Sequence, residues 1–177
     1  MAIKKPEYIL AIDQGTTGTR AIVFNHNARR VTSVAIPMTP VIPRTGWLEQ
    51  RPLDIWHATQ TAVADALINA GIRGDEIKAL GIASQRETTI IWHRQTGQPI
   101  YNAISWSSTQ SQDIAQSIAD DVEKTELIRQ KTGLPVSAYF SATKIRWILD
   151  NVSGAQTAAE NGDLVFGTVD TWLTWQL

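Results

Sequence analysis

The chain has 177 residues, 43% of them hydrophobic and 19% charged, with a formal net charge of -1; it is long enough to bury a core and too evenly charged for a disordered chain. The basic pairs Lys4-Lys5 and Arg29-Arg30 make no basic stripe, which argues against a nucleic-acid binder. Without cysteine there is no disulfide, thiol nucleophile or cysteine-based zinc site, and His26, His57 and His93 lack metal-ligand spacing.

The first element, Tyr8 to Ile12, is a short continuous apolar run that predicts a strand buried on both faces. It stops at Asp13, too soon for a signal-peptide core or a membrane span, so a cytoplasmic protein without a membrane span is expected. Ala21 to Phe24 and Val31 to Ile36 repeat the pattern across the polar turn Asn25-His26-Asn27, giving a three-stranded meander. Pro37, Pro40 and Pro43 then mark a loop in which Trp47 is the large apolar anchor. Trp56, Val63, Leu67 and Ala70 fall at helical spacing between Pro52, suited to a first turn, and Gly71, suited to a stop. Leu80 to Ala83, Thr88 to Trp92 and Ala103 to Trp106 read as strands, the first of them buried, with a turn at Gln95 to Pro99. Helices are expected at about 110–120, 122–131 and 141–151, the last with Ser141 as its N-cap. Leu164 to Phe166 is a strand, and Thr168 to Leu177 begins an element with no stop signal, so the chain is expected to break off within a domain. The pattern as a whole is α/β, a sheet covered by helices.

Two segments carry chemistry. Asp13-Gln14-Gly15-Thr16-Thr17-Gly18-Thr19-Arg20 joins two apolar strands. Gly15 and Gly18 permit backbone angles that turn N–H groups inward, the threonines offer hydroxyl donors, and Arg20 adds a positive charge. Such a hairpin can hold phosphate oxygens, with Asp13 at the strand's end to organise the hydrated magnesium of a nucleoside triphosphate. A glycine-containing turn with no ligand is the other reading, and neither a P-loop nor a dinucleotide fingerprint occurs. In Ser84-Gln85-Arg86-Glu87-Thr88-Thr89, a donor fork stands beside an acceptor, which together suit adjacent hydroxyls of a polyol. Trp106 and Tyr139 offer flat faces for a carbon skeleton. Here the alternative is a surface Arg86–Glu87 ion pair and two core aromatics.

Taken in order, these motifs resemble the glycerol kinases, within the carbohydrate kinases that share the actin and hexokinase type of ATPase fold. The resemblance rests on Tyr8 to Arg20, on Gly46-Trp47-Leu48-Glu49 with Pro52 and Trp56, on Gln85 to Thr89, and on Tyr101-Asn102-Ala103-Ile104. It continues through Tyr139-Phe140-Ser141 with Thr143-Lys144 and Phe166 to Leu173. It implies a ribonuclease-H-like, actin-like ATPase domain with a mixed sheet flanked by helices, truncated here: residues 1–177 as most of an N-terminal kinase domain, without the C-terminal domain. It further implies ATP with Mg2+, glycerol as substrate, and glycerol 3-phosphate and ADP as products. Thr16, Thr17, Gly18 and Arg20 would contact the nucleotide phosphates, Asp13 would serve the metal, and Arg86, Glu87, Trp106 and Tyr139 would hold glycerol. The general base would lie beyond Leu177, in a missing C-terminal domain acting in cis, so the 177 residues alone are expected to be inactive. A homo-oligomeric full-length enzyme stays open. Ala138, where a proline often precedes the tyrosine, is a mild departure from the family pattern; the larger one is Ser107-Ser108-Thr109-Gln110-Ser111, where a glutamine and one or two arginines usually follow the tryptophan. It keeps in play a kinase for another polyol or sugar, or a non-catalytic relative that only binds.

Overall fold

The computed structural model describes residues 7–177, so Lys4-Lys5 lie outside the described residues. In chain order the elements are β1 (Tyr8–Gly15), β2 (Gly18–Asn25), β3 (Arg30–Pro37), β4 (Glu49–Gln50), α1 (Pro52–Ala70) and β5 (Ile77–Ser84), the last preceded by a 3-10 turn at Gly74–Glu76. There follow β6 (Ile90–His93), β7 (Ala103–Ile104), α2 (Gln112–Ala119), α3 (Val122–Thr132), α4 (Ser141–Asn151), α5 (Ala155–Glu160), β8 (Leu164–Gly167) and α6 (Val169–Gln176). They divide into two compact units. The first holds the described residues up to Thr39, Leu53–Gln85 and Leu173–Leu177, and the second Pro40–Pro52 and Arg86–Trp172.

The first unit is built on a mixed sheet of order β3-β2-β1-β5. The expected meander is there, β1 and β2 pairing antiparallel and β2 with β3 likewise, while β5 runs parallel to β1. A parallel neighbour needs a crossover, and α1 lies within it. Leu10 on β1 and Ala21 and Val23 on β2 pack with Ala62 and Ala66 of α1 and with Ile72. The small alanines let the helix approach the sheet closely, and Gly71, at φ +64°, ends it in the left-handed conformation expected of a helix stop. One expectation fails: β1 is not buried on both faces, because Ile9 is 49% exposed while Leu10 and Ile12 are buried. β5, read as a buried strand, is likewise largely exposed. In the described chain β5 is an edge strand, and its apolar sequence exceeds what the α1 side alone covers.

The second unit has two antiparallel pairs, β4 with β7 and β6 with β8. Ile91, Ile104 and Ile148 form its centre, joined by Ile100, Tyr101, Ile145, Trp147, Val152 and Leu164. Trp92 and Trp172 are fully buried and meet edge to face at 5.2 Å, and the Trp172 indole N–H donates to the Pro52 carbonyl at 3.1 Å. An aromatic pair of this kind adds about 0.5–1.5 kcal/mol beyond the area it buries. The three expected helices stand as α2, α3 and α4, but Phe140, not Ser141, takes the N-cap place of α4, and Ser141 is the first helical residue. The expected strand at 88–92 starts at Ile90, the segment after Thr168 is the helix α6, and β4 and α5 carry too little periodicity to be foreseen. Among the described residues no helix is long and apolar enough to cross a membrane.

Candidate functional site

In the first unit, β1 and β2 close on a two-residue turn, Gly15 facing Gly18 with Thr16 and Thr17 at the tip. Asp13 and Arg20 are direct partners across the pair, so they share a face, and both are exposed there. The hairpin is stiffened from behind. Gln14, fully buried, donates to the Gly15 carbonyl at 2.7 Å, and its side-chain oxygen accepts from Gln85 Nε2 at 2.9 Å, while the Gln85 N–H donates to the Gln14 carbonyl at 2.8 Å. On the β3 side, the Met38 N–H donates to the Thr17 carbonyl at 2.9 Å. The reason for glycine differs from the expected one: neither Gly15 nor Gly18 adopts positive φ. Gly18 is required by space, since a Cβ there would stand 2.7 Å from the Ile36 carbonyl oxygen. On this braced hairpin two threonines and an exposed guanidinium form a donor set that fits phosphate oxygens, and the exposed Asp13 carboxylate suits magnesium. That ion commonly keeps several waters and takes one or two carboxylates along with substrate phosphates.

In the second unit, the turn after β5 sets Arg86 and Glu87 in front of β6. Glu87 takes φ +66°, a left-handed conformation uncommon for a residue with a long side chain. The Arg86–Glu87 ion pair of the alternative reading is not formed. Instead Glu87 Oε2 accepts from the Ser141 N–H and from Ser141 Oγ, each at 3.0 Å, at the start of α4, where the helix dipole favours an anion. Thr89 Oγ1 donates to the Glu87 carbonyl at 3.1 Å, fixing the turn from the other side. Arg86 stays exposed. Trp106 and Tyr139 are not core residues: they are 40% and 38% exposed and meet edge to face at 6.0 Å. The Trp106 N–H donates to Thr88 Oγ1 at 3.2 Å, so the ring is tied to the residue after Glu87. Glu87, Trp106 and Tyr139 therefore form one patch, with Arg86 on the same turn.

The sequence matches the model of the FGGY family of carbohydrate kinases, N-terminal domain, over residues 8–177. The chain belongs to the FGGY family of carbohydrate kinases. It is 54% identical to a glycerol kinase from Lactobacillus delbrueckii subsp. bulgaricus, over 97% of this chain and 34% of that protein. With a Lactobacillus acidophilus glycerol kinase the identity is 52%, over 98% of this chain and 34% of that one. The FGGY chain thus spans about a third of the length of these curated relatives. Among solved structures, Plasmodium falciparum glycerol kinase with ADP superposes with a TM-score of 0.87 at 30% identity, covering 95% of this chain and 33% of that one. A gluconate kinase from Lactobacillus acidophilus, with a TM-score of 0.84 at 23% identity over 98% of this chain and 33% of its own, shares the fold.

Within this FGGY chain the Ser107–Ser111 departure has a structural account. The Leu48 N–H donates to Ser108 Oγ at 3.1 Å, Thr109 Oγ1 donates to the Gly46 carbonyl at 3.0 Å, and Ser111 Oγ lies 2.9 Å from Thr143 Oγ1. Ser108 and Ser111 are buried, so the loop's hydroxyls tie it to the Gly46–Leu48 segment and to α4. Sequence reasoning missed three supports of the candidate residues. Gln14 and Gln85 brace the hairpin, and Lys144, fully buried, donates from Nζ to the carbonyls of Tyr139 and, at 3.1 Å, of Phe140. Burial pushes the Lys144 ammonium down to about 8, while the Glu87 carboxylate pulls it the other way. The signal for Lys144 was present in Tyr139-Phe140-Ser141 with Thr143-Lys144, but a lysine in a sequence reads as a surface residue until its helix face is known.

Proposed function

We propose that the protein containing this chain transfers the γ-phosphoryl group of ATP to a terminal hydroxyl of glycerol, and that residues 1–177 are most of its N-terminal kinase domain. The observation that carries the reading is the second unit's patch. Glu87 has one carboxylate oxygen held by Ser141 and the other free of any hydrogen bond from the described residues, with the exposed Arg86 beside it and two half-exposed aromatic faces adjoining. A small polyol needs that set: an acceptor, a donor fork and an apolar wall. Identity above 50% to glycerol kinases supports it.

In this reading Thr16, Thr17, Gly18 and Arg20 hold the nucleotide phosphates, and Asp13 would hold the magnesium that accompanies them. Magnesium, when bound, would neutralise charge on the phosphates. The chain's own residues bind and orient: Glu87 accepts from a glycerol hydroxyl, Arg86 donates to a neighbouring one, and Trp106 and Tyr139 cover the carbon chain and exclude water. In the transfer, the hydroxyl oxygen forms a bond to phosphorus as the bond to the ADP oxygen breaks, and the hydroxyl proton leaves to a base, which we assign to the protein's remaining domain. We place the reaction in the cytoplasm, and these 177 residues alone should turn over no ATP, because orientation of both substrates supplies most of the rate and half of a cleft cannot orient them. The test is a polyol and sugar panel with the full-length protein. Glycerol should be phosphorylated in preference to pentuloses and other polyols, and Glu87→Gln should lower kcat/KM for glycerol by roughly 100-fold. Turnover of a ketose but not glycerol, or glycerol-dependent ATP hydrolysis by residues 1–177 alone, would overturn the proposal.

A further inference from the structure

Glu87 has two properties that its role as a polyol acceptor does not by itself explain. Its backbone sits in the left-handed region, at φ +66°, and its carboxylate is bonded to the start of a helix 54 residues further on rather than to the adjacent Arg86. The strain of such a conformation is held only where surrounding contacts over-determine it. Those contacts are the Thr89 hydroxyl on the Glu87 carbonyl, the two donors of Ser141 on Oε2, and a longer approach of the Ser141 hydroxyl to the Glu87 carbonyl at 3.5 Å. Ser141 is not acting as the N-cap of α4, since Phe140 holds that place and makes no side-chain cap. The Ser141 hydroxyl is therefore directed outward from the helix start, to the carboxylate. Two residues before it, on the same segment, is Tyr139, whose carbonyl together with that of Phe140 is gripped by buried Lys144.

We infer that Ser141 is a positioning residue for the polyol patch: by engaging one oxygen of Glu87 it presents the other to substrate, in fixed relation to the Tyr139 ring. The inference rests on the glycerol reading above and goes beyond it in naming the residue that sets the acceptor's orientation. The hydroxyl and the N–H share the same carboxylate oxygen, so removing the hydroxyl leaves one of the two restraints and a carboxylate free to rotate toward Arg86. Lys144 holds the segment from below and gives the first turn of α4 a fixed base from which Ser141 acts.

The experiment uses the full-length protein and compares the wild type, Ser141→Ala, Ser141→Thr, Glu87→Gln and the double variant Ser141→Ala/Glu87→Gln. Ser141→Ala should raise KM for glycerol about tenfold, the size of losing one hydrogen bond to a charged group. KM for ATP should stay within about twofold, since the altered contact lies in the polyol patch alone. Ser141→Thr, which keeps the hydroxyl, should restore the wild-type value. Because the serine acts through the carboxylate, the double variant should be no worse than Glu87→Gln by itself. A purely structural serine would instead lower the melting temperature, change both KM values together, and multiply its effect with that of Glu87→Gln; that pattern, or an unchanged KM for glycerol in Ser141→Ala, overturns the assignment while leaving the glycerol reading intact. A wild-type protein that does not phosphorylate glycerol overturns both.

Discussion

Replacing Gly18 by alanine tests why the hairpin carries glycine. A Cβ at Gly18 would meet the Ile36 carbonyl oxygen at 2.7 Å and the Pro37 Cα at 3.3 Å, both of them backbone atoms of β3. Gly18 is itself paired with Pro37 in the β2–β3 ladder, so the obstruction cannot swing aside as a side-chain tip would. Relief requires β3 to move by several tenths of an ångström, an overpacking strain of about 2 kcal/mol. For a chain of this size, such a loss lowers Tm by about 4–8 °C. Gly15 is the internal control: its Cβ would lie 3.5 Å from the Gly18 carbonyl, an ordinary contact, and its φ is not positive. Gly15→Ala should therefore be neutral or stabilise slightly, by up to about 0.5 kcal/mol through the unfolded chain. Thermal unfolding followed by far-UV circular dichroism, with both variants beside the wild type, is the assay. If Gly15→Ala costs as much as Gly18→Ala, backbone freedom rather than space is what the hairpin needs, and the reasoning fails.

Three further outcomes are expected. Glu49 is buried and accepts from the Tyr101 hydroxyl at 2.7 Å and from Asn102 Nδ2 at 2.9 Å, so Glu49→Ala, which orphans both donors, should cost about 3 kcal/mol and Glu49→Gln less, read as a shifted urea midpoint with unchanged slope. Burial lowers Lys144 from 10.5 to about 8, so over that window the unfolded chain binds more protons; on this group's account stability rises with pH from about 8 to 10.5, and the rise should vanish in Lys144→Met. Tyr101 is pushed the other way, from 10.0 to about 12, by burial and then by its hydrogen bond to Glu49, so its contribution is intact below pH 10 and is lost as pH rises toward 12; denaturation of wild type and Tyr101→Phe across that range should show a steeper fall in the wild type.

Local sequence determined the pieces whose signal is local. The strand–turn–strand of Tyr8 to Asn25 is set by two apolar runs around Gly-Thr-Thr-Gly, and α1 is set by Pro52, its periodic apolar face and Gly71. The pairing of Asp13 with Arg20 then follows from the two-residue turn, since the register of a tight hairpin fixes which residues face each other. What the sequence by itself left open depended on partners far along the chain. Glu87 stands next to Arg86, and proximity suggests an ion pair; tertiary structure gives the carboxylate to Ser141, 54 positions away, because a left-handed turn and a helix start happen to meet there. Lys144 reads as a surface charge until α4 is packed, when its ammonium becomes an interior clamp on two carbonyls. Gly18 reads as a source of backbone freedom until β3 is laid against it, and only then is its lack of a side chain seen as the space that the third strand occupies.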